Sequence, residues 1–195
     1  VSAADHWNDH YKQGKGFRPV AEPEVDLLAE HLGPGNGRRA LDVGCGTGEY
    51  SAALHDLGFQ VTGVDFSEVA VATAQDRQGE RDGLDFRLLD ADRGGLGLLP
   101  AGEFDLITCR LFLPFVDLVP TVACARRLLV PGGRLLVTTP VASAGAPAGS
   151  RSVCWGGPER GRPLPPSHQQ TTDRRRSDAH QSVRASGRTR IGRRS

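Results

Sequence analysis

Ala40-Leu41-Asp42-Val43-Gly44-Cys45-Gly46-Thr47-Gly48-Glu49 is an apolar run that ends in an acid and passes into three alternating glycines. A second apolar run, Val61-Thr62-Gly63-Val64, follows and ends in Asp65. Strand, glycine turn, helix, strand and acid in that order form the pattern of a nucleotide-binding βαβ unit. The glycines let the backbone turn sharply and approach a ligand closely. Asp65 falls 23 residues after Asp42, at the tip of the second strand, where a carboxylate can accept from both hydroxyls of a ribose.

Spacing separates two kinds of ligand. A dinucleotide fingerprint is G-x-G-x-x-G, and its third glycine allows close packing at the pyrophosphate. That position here is Glu49, which would set a negative charge near a phosphate. The run is instead G-x-G-x-G, closed at Gly48, which disfavours NAD or FAD and favours a nucleoside ligand without phosphates.

Outward from this unit the chain alternates. Glu22-Pro23-Glu24 opens a helix, with proline in the first turn and acids at the positive end. Gly33 can end it. Strands are expected at about 39–43, 60–64, 84–89, 104–109 and 134–139, and helices at about 49–57, after Ser67, and from Asp117 to about Val130. Arg93-Gly94-Gly95-Leu96-Gly97 breaks regular structure, so the connection before the fourth strand should hold little or no helix. Pro131-Gly132-Gly133 is expected as a turn into the fifth strand. This order predicts a parallel sheet with helices on both faces.

Five blocks in this order resemble the class I S-adenosylmethionine-dependent methyltransferases, of the small-molecule type. Asp42 to Gly48 resembles the family's first motif and Val64-Asp65-Phe66-Ser67 its ribose-binding strand end. Phe86-Arg87-Leu88-Leu89-Asp90-Ala91 is similar to the third strand with its adenine-contacting acid. Phe104 to Arg110 resembles the fourth strand, and Leu128 to Val137 the helix, turn and fifth strand. Trp7-Asn8-Asp9-His10-Tyr11, with Gly14, is similar to the N-terminal segment. The resemblance covers roughly residues 5–141 and implies an α/β fold, a Rossmann-like doubly wound parallel sheet of about five strands.

It also implies S-adenosyl-L-methionine as cofactor and a set of residues around it. Gly44 and Gly46 would present backbone to the methionyl part, with Cys45 and Gly48 in the same loop. Asp42 would order that loop. Asp65 would hold the ribose hydroxyls and Phe66 would flank the adenine. Asp90 would accept from the adenine amino group beside Ala91. Cys109 and Arg110 would close the methionyl side, and Tyr11 would reach the cofactor carboxylate from an N-terminal lid. No residue is assigned as catalytic; His6 and His10 are the nearest candidate bases. Position 109 onward reads Cys109-Arg110-Leu111-Phe112 rather than Asn-Pro-Pro-Tyr, which disfavours methylation of base or glutamine amino groups. The acceptor is expected to be a small molecule.

Other classes fit less well. A Tyr-x-x-x-Lys pair after the fourth strand is absent, which further disfavours an NAD-dependent oxidoreductase. The cysteines (Cys45, Cys109, Cys124 and Cys154) form no CxxC pair, so reduced thiols and no metal site are expected. No run of 18 apolar residues occurs and the first 30 residues hold no apolar signal core, so a cytoplasmic protein off the membrane is expected.

The net charge of +1 hides a split: residues 141–195 carry +8 and residues 1–140 carry −7. Two parts are therefore expected, a cofactor-binding domain over 1–141 and a basic, low-complexity tail over 142–195 without regular structure. The tail shows no apolar periodicity for the helix and antiparallel hairpin that the family places after its fifth strand, so the hairpin is expected to be missing. The fifth strand would then be an open edge, able to pair with a second chain. Two explanations of the tail stand side by side. It is a basic segment, with Arg174-Arg175-Arg176 able to meet nucleic acid, or it is the out-of-frame reading of a GC-rich gene. The chain's 22 arginines, two lysines and absent methionine favour the second, as does the tail's Arg, Pro, Gly, Ala and Ser content. A cofactor-binding fragment without turnover is the alternative to an active enzyme.

Overall fold

The computed structural model describes residues 3–16, 18–141 and 149–156. In chain order the elements are α1 (Ala3–Lys12), α2 (Glu22–Leu32), β1 (Arg39–Val43), α3 (Glu49–Asp56), β2 (Gln60–Asp65), α4 (Glu68–Gln78) and β3 (Leu84–Leu88). After β3 come a 3-10 turn at Gly95–Leu98, β4 (Phe104–Arg110), a second 3-10 turn at Leu113–Phe115, α5 (Leu118–Leu128), β5 (Leu129–Val141) and β6 (Gly149–Gly156). One sheet holds all six strands in the order β3-β2-β1-β4-β5-β6. The first five are parallel. This is the doubly wound, Rossmann-like arrangement expected, with its reversal of strand order between β1 and β4.

Alternation along the central strands builds a core on each face. Leu41, Val43, Ile107 and Cys109 point to one side, where α5 and the Gly95–Leu98 turn add Ala125, Leu128 and Leu96. Ala40 and Leu106 point to the other, against Leu28 and Leu32 of α2 and Tyr50 and Leu54 of α3. Element ends follow their local chemistry. Ser67 Oγ accepts from the Ala70 N–H and Asp117 from the Val119 N–H, so each caps its helix. Gly33 closes α2 with φ +63°. The connection between β3 and β4 carries only the short 3-10 turn, as the glycines there require.

Two expectations are corrected. Pro131-Gly132-Gly133 is not a turn before β5 but lies within it; the ladder to β4 jumps from Phe104↔Leu129 to Leu106↔Arg134. The three residues are absorbed as an irregularity, since proline cannot donate to the ladder and Gly132 sits at φ +83°. The fifth strand is also not an open edge. Gly149–Gly156, within the stretch expected to lack regular structure, runs antiparallel to β5 with eight register pairs, from Val141↔Gly149 to Arg134↔Gly156. Val153-Cys154-Trp155 suits a strand by residue type, a signal too short to show as periodicity. The arginine run at 174–176 lies outside the described residues. Among those described, no helix is long and apolar enough to cross a membrane.

Candidate cofactor site

The C-terminal ends of β1, β2, β3 and β4 surround a cavity of about 320 Å³. Ten of the twelve residues expected at the site line it: Tyr11, Asp42, Gly44, Cys45, Gly46, Asp65, Phe66, Asp90, Ala91 and Arg110. Gly48 and Cys109 do not. A Cβ on Gly48 would lie 2.8 Å from the Phe86 ring and 3.0 Å from Ala74, so that glycine lets α3 and its loop pack on the sheet. Cys109 is part of the core behind the cavity, and burial pushes its thiol up to about 12.

The glycine loop folds onto the end of β2. The N–H groups of Gly44 and Cys45 both donate to the Val64 carbonyl, at 2.8 and 3.0 Å. The Gly46 N–H donates to Asp65 Oδ2 at 2.9 Å, and the Ser67 N–H to Asp65 Oδ1 at 2.9 Å. The loop is thus ordered by Asp65, where Asp42 had been expected. Gly44 and Gly46 take φ of +74° and +53°, a region where side chains are strained. A Cβ on Gly44 would come within 2.6 Å of the Phe112 ring, and one on Gly46 within 3.0 Å of the Tyr11 hydroxyl.

Asp42 is 1% exposed and plays a different part. Register pairs it with Thr108 across β1 and β4. The Thr108 hydroxyl donates to its Oδ1 at 2.7 Å and the Ser51 hydroxyl to its Oδ2 at 2.6 Å. Asp42 therefore ties β1 to β4 and to the first turns of α3. Burial pushes its carboxyl above the usual range, and the two hydroxyl donors only partly oppose this. Burial likewise raises Asp65, against its backbone N–H donors. Cys45 is raised well above an ordinary thiol by burial and by the nearby Asp42 and Asp65, which disfavours the thiolate.

Other expected residues are held by local partners. Arg110 grips both carboxylate oxygens of Glu24, at 2.8 and 3.0 Å, and also donates to the Arg18 and Pro19 carbonyls. It fastens α2 and the segment before it to the end of β4. Asp90 turns back on its own loop and accepts from the Asp92 and Arg93 N–H groups at 3.1 Å.

An aromatic cover closes the cavity from the side of α1. Trp7 packs edge-on against Phe115, ring centres 5.5 Å apart, and lies 5.8 Å from Tyr11. The helix is pinned to α4 by the Ser67 hydroxyl, which donates to Asn8 Oδ1 at 2.5 Å. Neither His6 nor His10 lines the cavity. His10 packs 5.2 Å from Trp7, with its Nε2 buried and unbonded among the described residues. Trp7, Leu111, Phe112, Phe115 and Val116 also line the cavity without having been expected there. Leu111 is buried at φ +57°, a strained geometry for leucine that often marks a functional loop. The only sequence signal for this wall is its apolar and aromatic content directly after β4. No group of three His, Cys, Asp or Glu among the described residues is placed to hold a metal ion.

A family model described as a methyltransferase domain matches residues 41–137. The ubiquinone biosynthesis O-methyltransferase of Pseudomonas aeruginosa is 31% identical over 138 residues, 70% of this chain and 58% of that protein. That of Thiobacillus denitrificans is 34% identical over 134 residues, covering 68% of this chain and 55% of the relative. The chain thus spans little more than half the length of these curated relatives. Among solved structures, an S-adenosylmethionine-dependent methyltransferase from Mesorhizobium loti superimposes with a TM-score of 0.51 at 30% identity, over 60% of this chain and 52% of that one. The [4+2]-cyclase SpnF gives 0.52 at 36% identity, over 63% and 46%. The matched stretch runs from the glycine-loop strand to β5 and carries most of the cavity lining, and on this agreement of sequence and fold residues 41–137 form a methyltransferase domain of the class I S-adenosylmethionine-dependent type.

Proposed function

We propose that this chain binds S-adenosyl-L-methionine in the cavity and directs methyl transfer to a small-molecule acceptor. The observation that carries the reading is the convergence of the Gly44–Gly46 loop, Asp65 and Asp90 on one cavity where strand order reverses. The residues present fit the group. Gly44 and Gly46 leave backbone bare on the cavity side, and Asp65 stands at the tip of β2, where it can meet ribose hydroxyls. Phe66, Asp90 and Ala91 suit an adenine, while Tyr11, Cys45 and Arg110 line the remaining wall for the methionyl part. Asp42 and Asp65 lie beneath the loop, and their carboxylate forms are complementary to a cationic ligand.

Bound there, the cofactor would supply a methyl group activated by a sulfonium. The chain's work is then chiefly positioning and exclusion of water, by the Trp7, Phe112 and Phe115 wall. A general base is needed only for an acceptor protonated at working pH. Tyr11 and Tyr50 are poor candidates, because burial pushes both hydroxyls up. Residues 1–141 form the cofactor domain in this reading, 142–195 a basic extension, and the protein is cytoplasmic.

Calorimetric titration with S-adenosyl-L-methionine, and in parallel with NAD, tests the proposal. Micromolar binding of the first alone is expected, and a folded chain that binds neither refutes it. A second reading is cofactor binding without turnover. A protein of the same fold is a cyclase, so fold alone does not specify the chemistry. Tight binding with no S-adenosylhomocysteine release across a panel of phenols, amines and carboxylates would favour that reading.

A further inference from the structure

Contacts, rather than a stiff connection, place α1 over the cavity. Among the described residues, no helix or strand lies between α1 and α2, and Gly14 in that stretch takes φ +69°. Ala4, Trp7 and Tyr11 of α1 all line the cavity, at the i, i+3, i+7 positions of one helical face. Asn8 shares that face, four residues after Ala4 and three before Tyr11. It is not a lining residue; its Oδ1 accepts instead from the Ser67 hydroxyl at 2.5 Å. Ser67 is fully buried and joins three elements. Its Oγ accepts from the Ala70 N–H at 3.2 Å, capping α4, and its own N–H donates to Asp65 Oδ1 at 2.9 Å. The other oxygen of Asp65 holds the Gly46 N–H, where a Cβ would lie 3.0 Å from the Tyr11 hydroxyl. Asn8 is thus tied, through one serine, to the acid that a ribose would meet.

We infer that Asn8 is a positioning residue for the cofactor: its bond to Ser67 holds α1 where Trp7 and Tyr11 stand in the cavity wall, and so slows cofactor release. The inference rests on the S-adenosyl-L-methionine reading of the cavity. The packing of Trp7 on Phe115 is apolar and carries little direction. A hydrogen bond is directional, so the Asn8 bond fixes where along its axis α1 comes to rest. The Ser67 hydroxyl makes the effect one-sided. With α1 in place it is buried, and loss of Asn8 takes away the acceptor of its proton. With α1 lifted, water would reach the same hydroxyl. Removing the Asn8 amide therefore penalises the covered cavity and not the uncovered one.

The test is Asn8→Leu. Leucine is the better helix former, so α1 itself is not weakened. The probe is S-adenosylhomocysteine, passed over the immobilised full chain, with on- and off-rates read by surface plasmon resonance. The off-rate is expected to rise about tenfold, the effect of one lost hydrogen bond, while the on-rate stays within about twofold. Ser67→Gly keeps most of the α4 cap but has no hydroxyl to donate. In that background Asn8→Leu should change the off-rate by less than about twofold, whereas an effect of residue 8 on α1 alone would persist. If the glycine variant does not fold, hydrogen exchange decides: amides of α1 should exchange faster in Asn8→Leu, and those of α4 as in the wild type. A wild-type off-rate in Asn8→Leu, the same tenfold rise with Ser67→Gly present, or unchanged exchange in α1 overturns the inference. So does a loss of affinity carried wholly by the on-rate. A folded wild type that does not bind S-adenosylhomocysteine overturns the cofactor reading itself, and the inference with it.

Discussion

Asp65→Asn isolates the residue on which loop and proposed ligand both depend. The carboxylate accepts two backbone N–H groups, from Gly46 on one oxygen and Ser67 on the other, each at 2.9 Å. An asparagine keeps one acceptor. The Ser67 bond lies two residues away in sequence and closes a local turn, so it should persist, leaving an amide NH₂ facing the Gly46 N–H. A lost hydrogen bond to a charged group costs about 1.5–3 kcal/mol, and an unsatisfied buried donor about 1–3 kcal/mol. The two overlap at one N–H, so a net loss of about 2–4 kcal/mol is expected. For a chain of this size that lowers Tm by roughly 4–16 °C. Affinity for S-adenosyl-L-methionine should fall about 10- to 100-fold, as the loop loosens and one ribose acceptor is gone. Scanning calorimetry and titration of the same sample read both. A variant with wild-type Tm would refute the role of Asp65 in holding the glycine loop. A folded variant with wild-type affinity would remove Asp65 from the cofactor site.

Further outcomes follow from the same geometry. Burial raises the Asp42 carboxyl, so its contribution to stability is present below the usual carboxylate range and is lost as pH rises through its raised value. Urea midpoints at pH 5 and pH 8 should therefore fall with pH more in the wild type than in Asp42→Asn, and more steeply still in Ser51→Ala, which removes a donor; equal slopes would count against it. Gly44→Ala drives a Cβ to within 2.6 Å of the Phe112 ring at φ +74° and should lower cofactor affinity more than tenfold. By contrast Gly35→Ala, whose Cβ meets the Gly58 backbone at 2.3 Å, should lower stability without a specific effect on ligand. Removing Arg110 or Glu24 singly should cost about 2–4 kcal/mol by stranding a largely buried partner; a double-mutant cycle with no coupling would sink the assignment. Val153→Pro deletes one backbone donor opposite Val137, and hydrogen exchange along β5 should quicken.

Much of the fold was legible because it is written in local patterns. Strands β1, β2, β3 and β4 begin and end within a residue of the expected limits, since glycines, Ser67 and a two-residue alternation punctuate them. The cavity was legible through its strand ends: Asp65 closes β2, Gly44, Gly46 and Asp90 lie within three residues after β1 and β3, and parallel topology sends all such ends to one side. What stayed hidden depends on partners distant in the chain. That Arg110 would meet Glu24, 86 residues away, cannot be read from either neighbourhood. Nor could Asp42 be separated from the glycine loop that follows it until Thr108 was set opposite by register. The Phe112 and Phe115 wall gave no polar signature, and aromatic residues in a loop read equally well as core. β6 pairs along its whole length with β5, a partner that its own short apolar run does not announce.

The ladder between β5 and β6 joins main-chain groups, which every residue but proline supplies in full. An exposed strand edge of this kind asks of its neighbour only that it extend and carry few prolines. Its demands on side-chain identity are therefore slight, and many unrelated segments could fill the same berth. A gene whose downstream reading had drifted would still encode a chain able to close this sheet, provided eight residues within reach could straighten. The glycine loop has no such tolerance, because there the backbone path itself excludes most side chains. The two ends of the domain should thus record very different rates of accepted change, slow around Gly44 to Gly48 and fast beyond Val141.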